Sequence, residues 1–328
     1  MPRVSIIIAT FDRPALLVRA LEHIRQQTFQ DYEVIVADDG SSEATKVQYR
    51  ELLQQTGLDQ DQRLHWIYMP ERSARMSNPS TGRNRALAAA DADLITFCDD
   101  DDYWSDPGHL QIAVDEFEHH PDLDFYFADQ QGMQNGQLIL PRWQPGLYKD
   151  ISGRPEGESS DEIHDVPLSI YCRHWTPHTN TALIRRSLLE RMGDFWAYTP
   201  MEGDVDFVYR AADQARRIRF RDAVVCVHEI PDKSKKANAS SRISQAERYM
   251  YRMAIANHLM FTTASPEVHR FARELDRYAA QKFAAEVAEQ NPSTALYYAW
   301  RGFCAGPSLG ALRDCLRYLW RRFSRGSR

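Results

Sequence analysis

Residues 97–104 read FCDDDDYW, with Asp99, Asp100, Asp101 and Asp102 in an unbroken row directly after an apolar run. Neighbouring carboxylates repel one another, so a chain that keeps them together needs something to neutralise them. Hard divalent ions do this well. Mg²⁺ and Mn²⁺ take carboxylate oxygens, usually one or two from protein, with phosphate oxygens supplying the rest. Alternate residues of an extended segment point the same way, so Asp99 and Asp101 can serve one ligand together. A lone D-x-D spacing is a weak signal, and a solvated acidic turn is the plain alternative. Two more acidic places stand out: Asp38 and Asp39 in ADDGSS, and Asp204 in MEGDVDFVYRA.

The surrounding elements say where these residues must lie. Residues 4–9 (VSIIIA) and 32–37 (YEVIVA) are short β-branched apolar runs, the pattern of buried strands, and 64–69 (LHWIYM) and 94–98 (LITFC) read as a third and a fourth strand. Helical spacing separates them: Leu16, Leu17, Ala20, Leu21 and Ile24, then residues 43–55, then the alanine-rich 81–90. Asp12 is expected to cap the first of these helices, ahead of Pro14. Alternating strands and helices imply an α/β domain with a mostly parallel sheet, whose ligands bind beyond the carboxyl ends of the strands. Residues 10–12, 38–42 and 99–102 all fall at such ends, so one crevice should hold all three. Further on, residues 110–119 read as a helix and 123–128 as a strand. Residues 130–165 read as hairpin and loop, 181–192 as strand then helix, and 223–228 (AVVCVH) as a last strand ending at His228. From about residue 244 the pattern is helical.

Bulk properties narrow the class. The chain has 328 residues, 43% of them hydrophobic, enough for one large domain or two modest ones. A net charge of −6 gives no sign of a nucleic-acid partner. The five scattered cysteines form no C-x-x-C pair and no disulfide rhythm, which points to a reducing, cytoplasmic setting. No signal-peptide pattern and no membrane-spanning run is read. The expectation is a soluble or peripheral protein.

VSIIIATFDRP, then QTFQDYEVIVADDGSSE, then STGRNRALAAADADLITFCDDDDYW together resemble the family 2 inverting glycosyltransferases of the GT-A fold, in the right order and spacing. The resemblance covers roughly residues 3–230. It implies a nucleotide-diphosphate sugar as donor and a Mn²⁺ or Mg²⁺ ion as cofactor. By this likeness Thr10, Phe11 and Asp12 belong to the nucleoside pocket. Asp39 would bind the base, which favours uracil or thymine, with Asp38 beside it. Arg83 and Asn84 would face the nucleotide. Asp99 and Asp100 would contact ribose or metal-bound water, and Asp101 would be the direct metal ligand, joined by Asp99 and His228. Asp102 is left between a ligand and a structural role.

An inverting transferase needs a carboxylate to take the proton of the attacking hydroxyl. The family's acidic pair reads Gly203-Asp204 here, so its Glu is missing and Asp204 is the candidate base. Glu202 and Asp206 compete with it, and a helix cap is the structural alternative. Lys235, Lys236 and Arg242 follow His228 and could close over a diphosphate, or form an ordinary basic loop. His178, Asn180 and Trp175 are acceptor-side candidates, and Trp175 and Trp196 could equally be core residues. The acceptor would be a glycan or lipid-linked glycan of a bacterial surface polysaccharide. In residues 312–323, Leu312, Cys315, Leu316, Leu319, Trp320 and Phe323 recur at helical spacing among arginines. This basic amphipathic helix suits either a peripheral contact with the inner face of the cytoplasmic membrane or packing on protein. The domain reading is 1–243 catalytic and 244–328 a helical extension. Against the transferase stand a non-catalytic sugar-nucleotide or glycan-binding module on the same fold, and a nucleotidyltransferase. The latter usually carries a glycine-rich loop where ATFDRP stands.

Overall fold

The computed structural model describes residues 1–71, 78–153, 160–174, 177–231 and 243–325, with side chains of the last helix described up to Phe323. Two compact units divide between Ala239 and Ser240.

The first unit opens with β1 (Val4–Thr10), α1 (Pro14–Arg25), β2 (Tyr32–Asp38), α2 (Glu43–Thr56), β3 (Leu64–Tyr68), α3 (Pro79–Ala89) and β4 (Leu94–Phe97). It continues with β5 (Tyr103–Trp104), α4 (His109–His119), β6 (Phe125–Gln134), β7 (Gln137–Leu140), α5 (Pro145–Ser152), β8 (Ile163–Asp165) and α6 (Leu168–Tyr171). It closes with β9 (Ala182–Arg185), α7 (Arg186–Met192), α8 (Gly203–Gln214) and β10 (Ile218–Glu229). The strands form one sheet in the order β3-β2-β1-β4-β9-β6-β10-β5, with β7 on β6 and β8 on β10. β3, β2, β1 and β4 are mutually parallel, as are β6 and β10, while β9 runs against both of its neighbours.

Ile6, Ile8, Val34, Val36 and Leu94 sit in the core with Leu17, Leu21 and Ile24 of α1, which explains the unbroken apolar runs. The chain leaves β1 to one side for β2 and later returns on its other side with β4. This is the switch point where α/β sheets open a crevice. α2 begins on a Ser42 cap that accepts from Thr45 N at 3.2 Å. α1 has no side-chain cap: Arg13 holds the capping position, and Asp12 turns away with φ 54°. The 130–165 stretch contains α5 as well as the expected hairpin, and β10 starts five residues before the apolar run that marked it, at Ile218.

His109 is fully buried beneath Trp104, with both ring nitrogens unpartnered among the described residues. Burial, helped by Arg221 and opposed by Asp106, pushes its pKa down to about 3. An unfolded histidine titrates near 6.5, so below that pH the unfolded chain binds a proton that the folded chain refuses. Stability from this source is complete above about pH 6.5 and falls as pH drops toward 3. We expect wild type to lose ~2 kcal/mol between pH 6.5 and 5 relative to His109→Leu, at about 1.4 kcal/mol per pH unit. Urea unfolding of both proteins across that range measures the difference. Parallel pH profiles would refute it.

The second unit contains α9 (Gln245–Thr262), α10 (Pro266–Val287), α11 (Pro292–Ala305) and α12 (Leu309–Arg325). Ser244 and Glu247 form a capping box at the start of α9. Met253 packs with Ala279, Ala280 and Phe283, and Ala284, Ala288, Ala295 and Ala299 pack with Cys315 and Tyr318. None of the helices, among the described residues, is long and apolar enough to cross a membrane.

Candidate active site

The switch point brings the three polar clusters together through side chains and backbone. Asp39 N donates to Thr10 O at 2.8 Å, and Ser42 N donates to Asp12 Oδ1 at 3.1 Å. Thr10 Oγ1 donates to Asp100 Oδ2 at 2.8 Å, tying the end of β1 to the acidic row after β4. Asp38 Oδ1 accepts from Ser41 N, while its Oδ2 is buried with no partner among the described residues. Asp39 Oδ2 accepts from Asn78 N at 2.7 Å.

The four aspartates face three basic residues, Arg13, Arg83 and His228. Asp99 pairs with Arg83 and lies 3.9 Å from His178 Nε2. Burial opposes its charge, but Arg83 and His178 outweigh burial and bring its pKa down to about 2. Asp100 and Asp101 share Arg13, at 2.8 and 2.9 Å. Burial, then the charges of Asp102 and Asp100, push Asp101 up to about 8 despite Arg13. Asp102 is fully buried and accepts from His228 Nδ1 at 2.8 Å, Glu229 N at 2.8 Å and the amide of Asn180. Burial alone would lower His228, but Asp102 more than reverses this and raises it to about 9.

These donors fit a divalent ion. Oxygens of Asp99, Asp101 and Asp102 lie within 4.8 Å of one another, and so do ligand atoms of Asp102, His178 and His228. Mn²⁺ and Mg²⁺ with ligands at about 2.0–2.2 Å are spanned by such separations. The two sets share Asp102.

α3 connects this cluster to α8. Arg83, buried, reaches Asp99 and also feels the negative charge of Asp204, which lies half-buried in the first turn of α8. Asn78 Nδ2 donates to Ala197 O at 2.9 Å, while Asn84 both donates to Phe195 O and accepts from Phe195 N. The N-terminal half of α3 thus fixes the segment that leads into α8. Asp206 is fully buried and paired with Arg210 at 2.7 Å, which withdraws it from competition as a base. Glu202 occupies the capping position in a left-handed conformation, φ 56°.

Gly203 has a steric reason. A Cβ at that position would fall inside contact distance of Ser80 Oγ. No larger residue fits while Ser80 keeps its place, so the glycine goes with a close α3–α8 approach. Gly203→Ala should cost about 1–3 kcal/mol through overpacking, seen as a lower Tm. Adding Ser80→Ala removes the offending oxygen and should restore most of the loss. A double variant no more stable than Gly203→Ala would show that the contact is not the cause.

The family model for Glycosyl transferase family 2 matches residues 5–193, more than half of the chain. The chain belongs to glycosyl transferase family 2. It is 35% identical over 102 residues to a GalNAc(5)-diNAcBac-PP-undecaprenol beta-1,3-glucosyltransferase of Campylobacter jejuni, covering 31% of this chain and 30% of that protein. It is 30% identical over 201 residues to the succinoglycan biosynthesis protein ExoW of Rhizobium meliloti, 58% of each. The chain thus spans less than two thirds of either relative's length. Among solved structures it is similar in fold to S. aureus TarS, with TM-score 0.63 and 20% identity over 93% of this chain and 49% of that one. TarS 1-349 in complex with UDP-GlcNAc gives TM-score 0.59 and 20% identity, over 97% and 79%. The mannosyltransferase PcManGT of Pyrobaculum calidifontis, in complex with GDP-Man and Mn²⁺, gives 0.58 and 19% identity, over 95% and 78%. The α/β fold with its GT-A-type sheet stands on these likenesses.

Within this family 2 domain the residues singled out from the sequence separate into two groups. Asp38, Asp39, Arg83, Asp99, Asp100, Asp101 and His228 converge as described, and half-buried Phe11 sits beside Thr10 at the same edge. Three others have their polar atoms engaged by protein. Asn84, expected at the nucleotide, spends its amide on the backbone of Phe195. Asn180, expected at the acceptor, is fully buried and bonds Asp99 N and Asp102. The Thr10 hydroxyl is held by Asp100 and lies 3.1 Å from Tyr49 Oη. His178, an acceptor-side candidate, stands beside His228, ring centroids 5.0 Å apart. Trp196 is half-buried and stacks on the exposed ring of Tyr198. Lys235, Lys236, Arg242 and Trp175 lie outside the described residues.

Sequence reasoning gave no role to Arg13, Arg19 and Trp143. Arg19 donates to Asp101 O at 2.6 Å. The Trp143 ring meets His228 edge-on at 5.3 Å, and its Nε1 is buried without a partner among the described residues. Asp129 fixes that loop by accepting from Trp143 N, Gln144 N and Arg142 Nε. The only signal in the sequence was a tryptophan within a glycine- and proline-rich stretch.

Proposed function

We propose that this chain transfers a sugar, with inversion, from a nucleotide-diphosphate sugar to a hydroxyl of a glycan or lipid-linked glycan. A UDP-sugar is the favoured donor. The observation that carries the reading is the gathering of Asp99–Asp102, His178 and His228 at one edge, where Asp99 pairs with Arg83 and Arg83 in turn lies within the field of Asp204. Asp39, with the buried Asp38 beside it, would accept from the N–H of a uracil ring. Asp99, Asp101 and Asp102, with His228, would hold a Mn²⁺ or Mg²⁺ ion. Such an ion supplies positive charge to the departing diphosphate. Arg13 and Arg83 keep the aspartates in place and add positive charge at the same edge. Asp204 takes the proton of the acceptor hydroxyl as its oxygen attacks the anomeric carbon. The bond from that carbon to the diphosphate oxygen breaks, and its electron pair leaves with the diphosphate. Trp196 with Tyr198 next to α8, and Trp143 next to the histidines, offer ring faces for sugar C–H groups.

Support for the donor comes from the UDP-GlcNAc complex of TarS, and for the metal from the Mn²⁺ complex of PcManGT. The names of the C. jejuni and R. meliloti relatives support a place in bacterial polysaccharide or glycolipid synthesis. A donor screen tests the reading. Purified protein is given a panel of nucleotide sugars with Mn²⁺, Mg²⁺ or EDTA, and nucleoside-diphosphate release is recorded. We expect one donor to be cleaved only with metal. If no donor is bound or cleaved under any condition, the reading fails.

A further inference from the structure

The last helix carries one broad apolar face, and the C-terminal unit covers only one side of it. Ala311, Cys315 and Tyr318 are buried, and Cys315 and Tyr318 pack with Ala284, Ala288, Ala295 and Ala299. Leu312, Leu316, Leu319, Trp320 and Phe323 repeat at the same helical spacing on the other side of that face and stay exposed. Leu316 is 58% accessible, Trp320 70% and Phe323 67%. At 100° per residue, Arg313, Arg317 and Arg321 run along one edge of this exposed stripe. From Arg301 to Arg328 there are seven arginines and one acid, Asp314, which lies 3.0 Å from Arg317.

We propose that α12 docks on an anionic lipid surface with its axis in the plane of the membrane. Trp320 and Phe323 enter the boundary between headgroups and acyl chains, while the arginine edge reaches the phosphates. Charge complementarity selects this occupant. A second copy of the chain would bring the same arginine-rich edge and a single acid, whereas a headgroup layer supplies the missing negative charge. The helix is too polar to span the bilayer, so it lies on it. The inference stands independently of the donor reading.

The test is flotation of the full chain with vesicles of phosphatidylcholine alone, or of phosphatidylcholine mixed with phosphatidylglycerol. The wild-type chain should float with the mixed vesicles and not with the neutral ones. Arg313→Gln/Arg321→Gln should weaken binding about 30-fold, taking ~1 kcal/mol for each arginine near the surface. Leu316→Glu/Trp320→Glu should abolish it. Arg313, Leu316 and Trp320 are exposed and Arg321 is half-buried, so thermal unfolding and nucleoside-diphosphate release in solution should match wild type. Failure of wild type to bind the mixed vesicles overturns the proposal, as does undiminished binding by Leu316→Glu/Trp320→Glu. Sedimentation equilibrium without lipid completes the test, because a dimer that the apolar double variant dissolves would give the face to a second copy instead.

Discussion

Asp204→Asn should lower turnover about 10³-fold while donor affinity is unchanged, the range expected when a positioned general base is removed. The carboxylate sits in the first turn of α8 and feels Arg83, the residue that also holds Asp99. The proposed base and the acidic row thus lie in the field of one guanidinium, and Asn keeps the size of the side chain while losing its capacity to take a proton. The competing acids separate cleanly. Asp206→Asn breaks a buried pair with Arg210 and should show first as instability. Glu202→Gln should leave turnover close to wild type. Steady-state kinetics with the preferred donor, together with binding of that donor to each variant, measures all of this. Loss of turnover in Glu202→Gln with Asp204→Asn active would move the base to Glu202.

Asp101→Ala should lower turnover by about 10²–10³-fold, the equivalent of several kcal/mol of charge stabilisation at 1.36 kcal/mol per tenfold. Its carboxylate lies with those of Asp99 and Asp102 in one candidate ligand set. The substitution removes one of a row of crowded like charges, and Arg13 retains Asp100 as a partner. The metal-free variant should therefore melt at or above the wild-type temperature. Wild type should gain Tm when UDP and Mn²⁺ are added together, since a ligand that binds only the folded state stabilises it. The variant should gain little. An equal gain in both proteins would remove Asp101 from the metal set.

The framework of this site was legible in the sequence for a physical reason. β1, β2 and β4 are covered on both faces, so their sequences are unbroken apolar runs, and a polar cluster directly after such a run marks a strand end. What could not be read were the partners. Asp102 owes its place to His228 and Glu229, 126 and 127 positions away, and nothing local in DDDD distinguishes it from Asp101. Asn84 and Asn180 have the right side chains for a substrate, but Phe195, Asp99 and Asp102, all distant in sequence, claim those amides first. Gly203 read as a missing acid, although its reason is the position of Ser80 on another helix. Trp143 sits in a loop with no periodicity, and only the folded chain sets it beside His228. In α12 the helical spacing was plain, but the inward turn of Cys315 and the exposure of Leu316 depend on where the neighbouring helices lie.

The central claim is that the acidic row and its histidines hold a divalent ion together with a nucleotide donor. The most direct measurement is the electron paramagnetic resonance signal of free Mn²⁺ during titration with protein, with and without UDP. It would be repeated with Asp101→Ala and Asp204→Asn. The account predicts that wild type and Asp204→Asn remove Mn²⁺ from solution in the presence of UDP, and that Asp101→Ala does not. Equal Mn²⁺ uptake by Asp101→Ala, or UDP binding with no Mn²⁺ uptake by wild type, would contradict it.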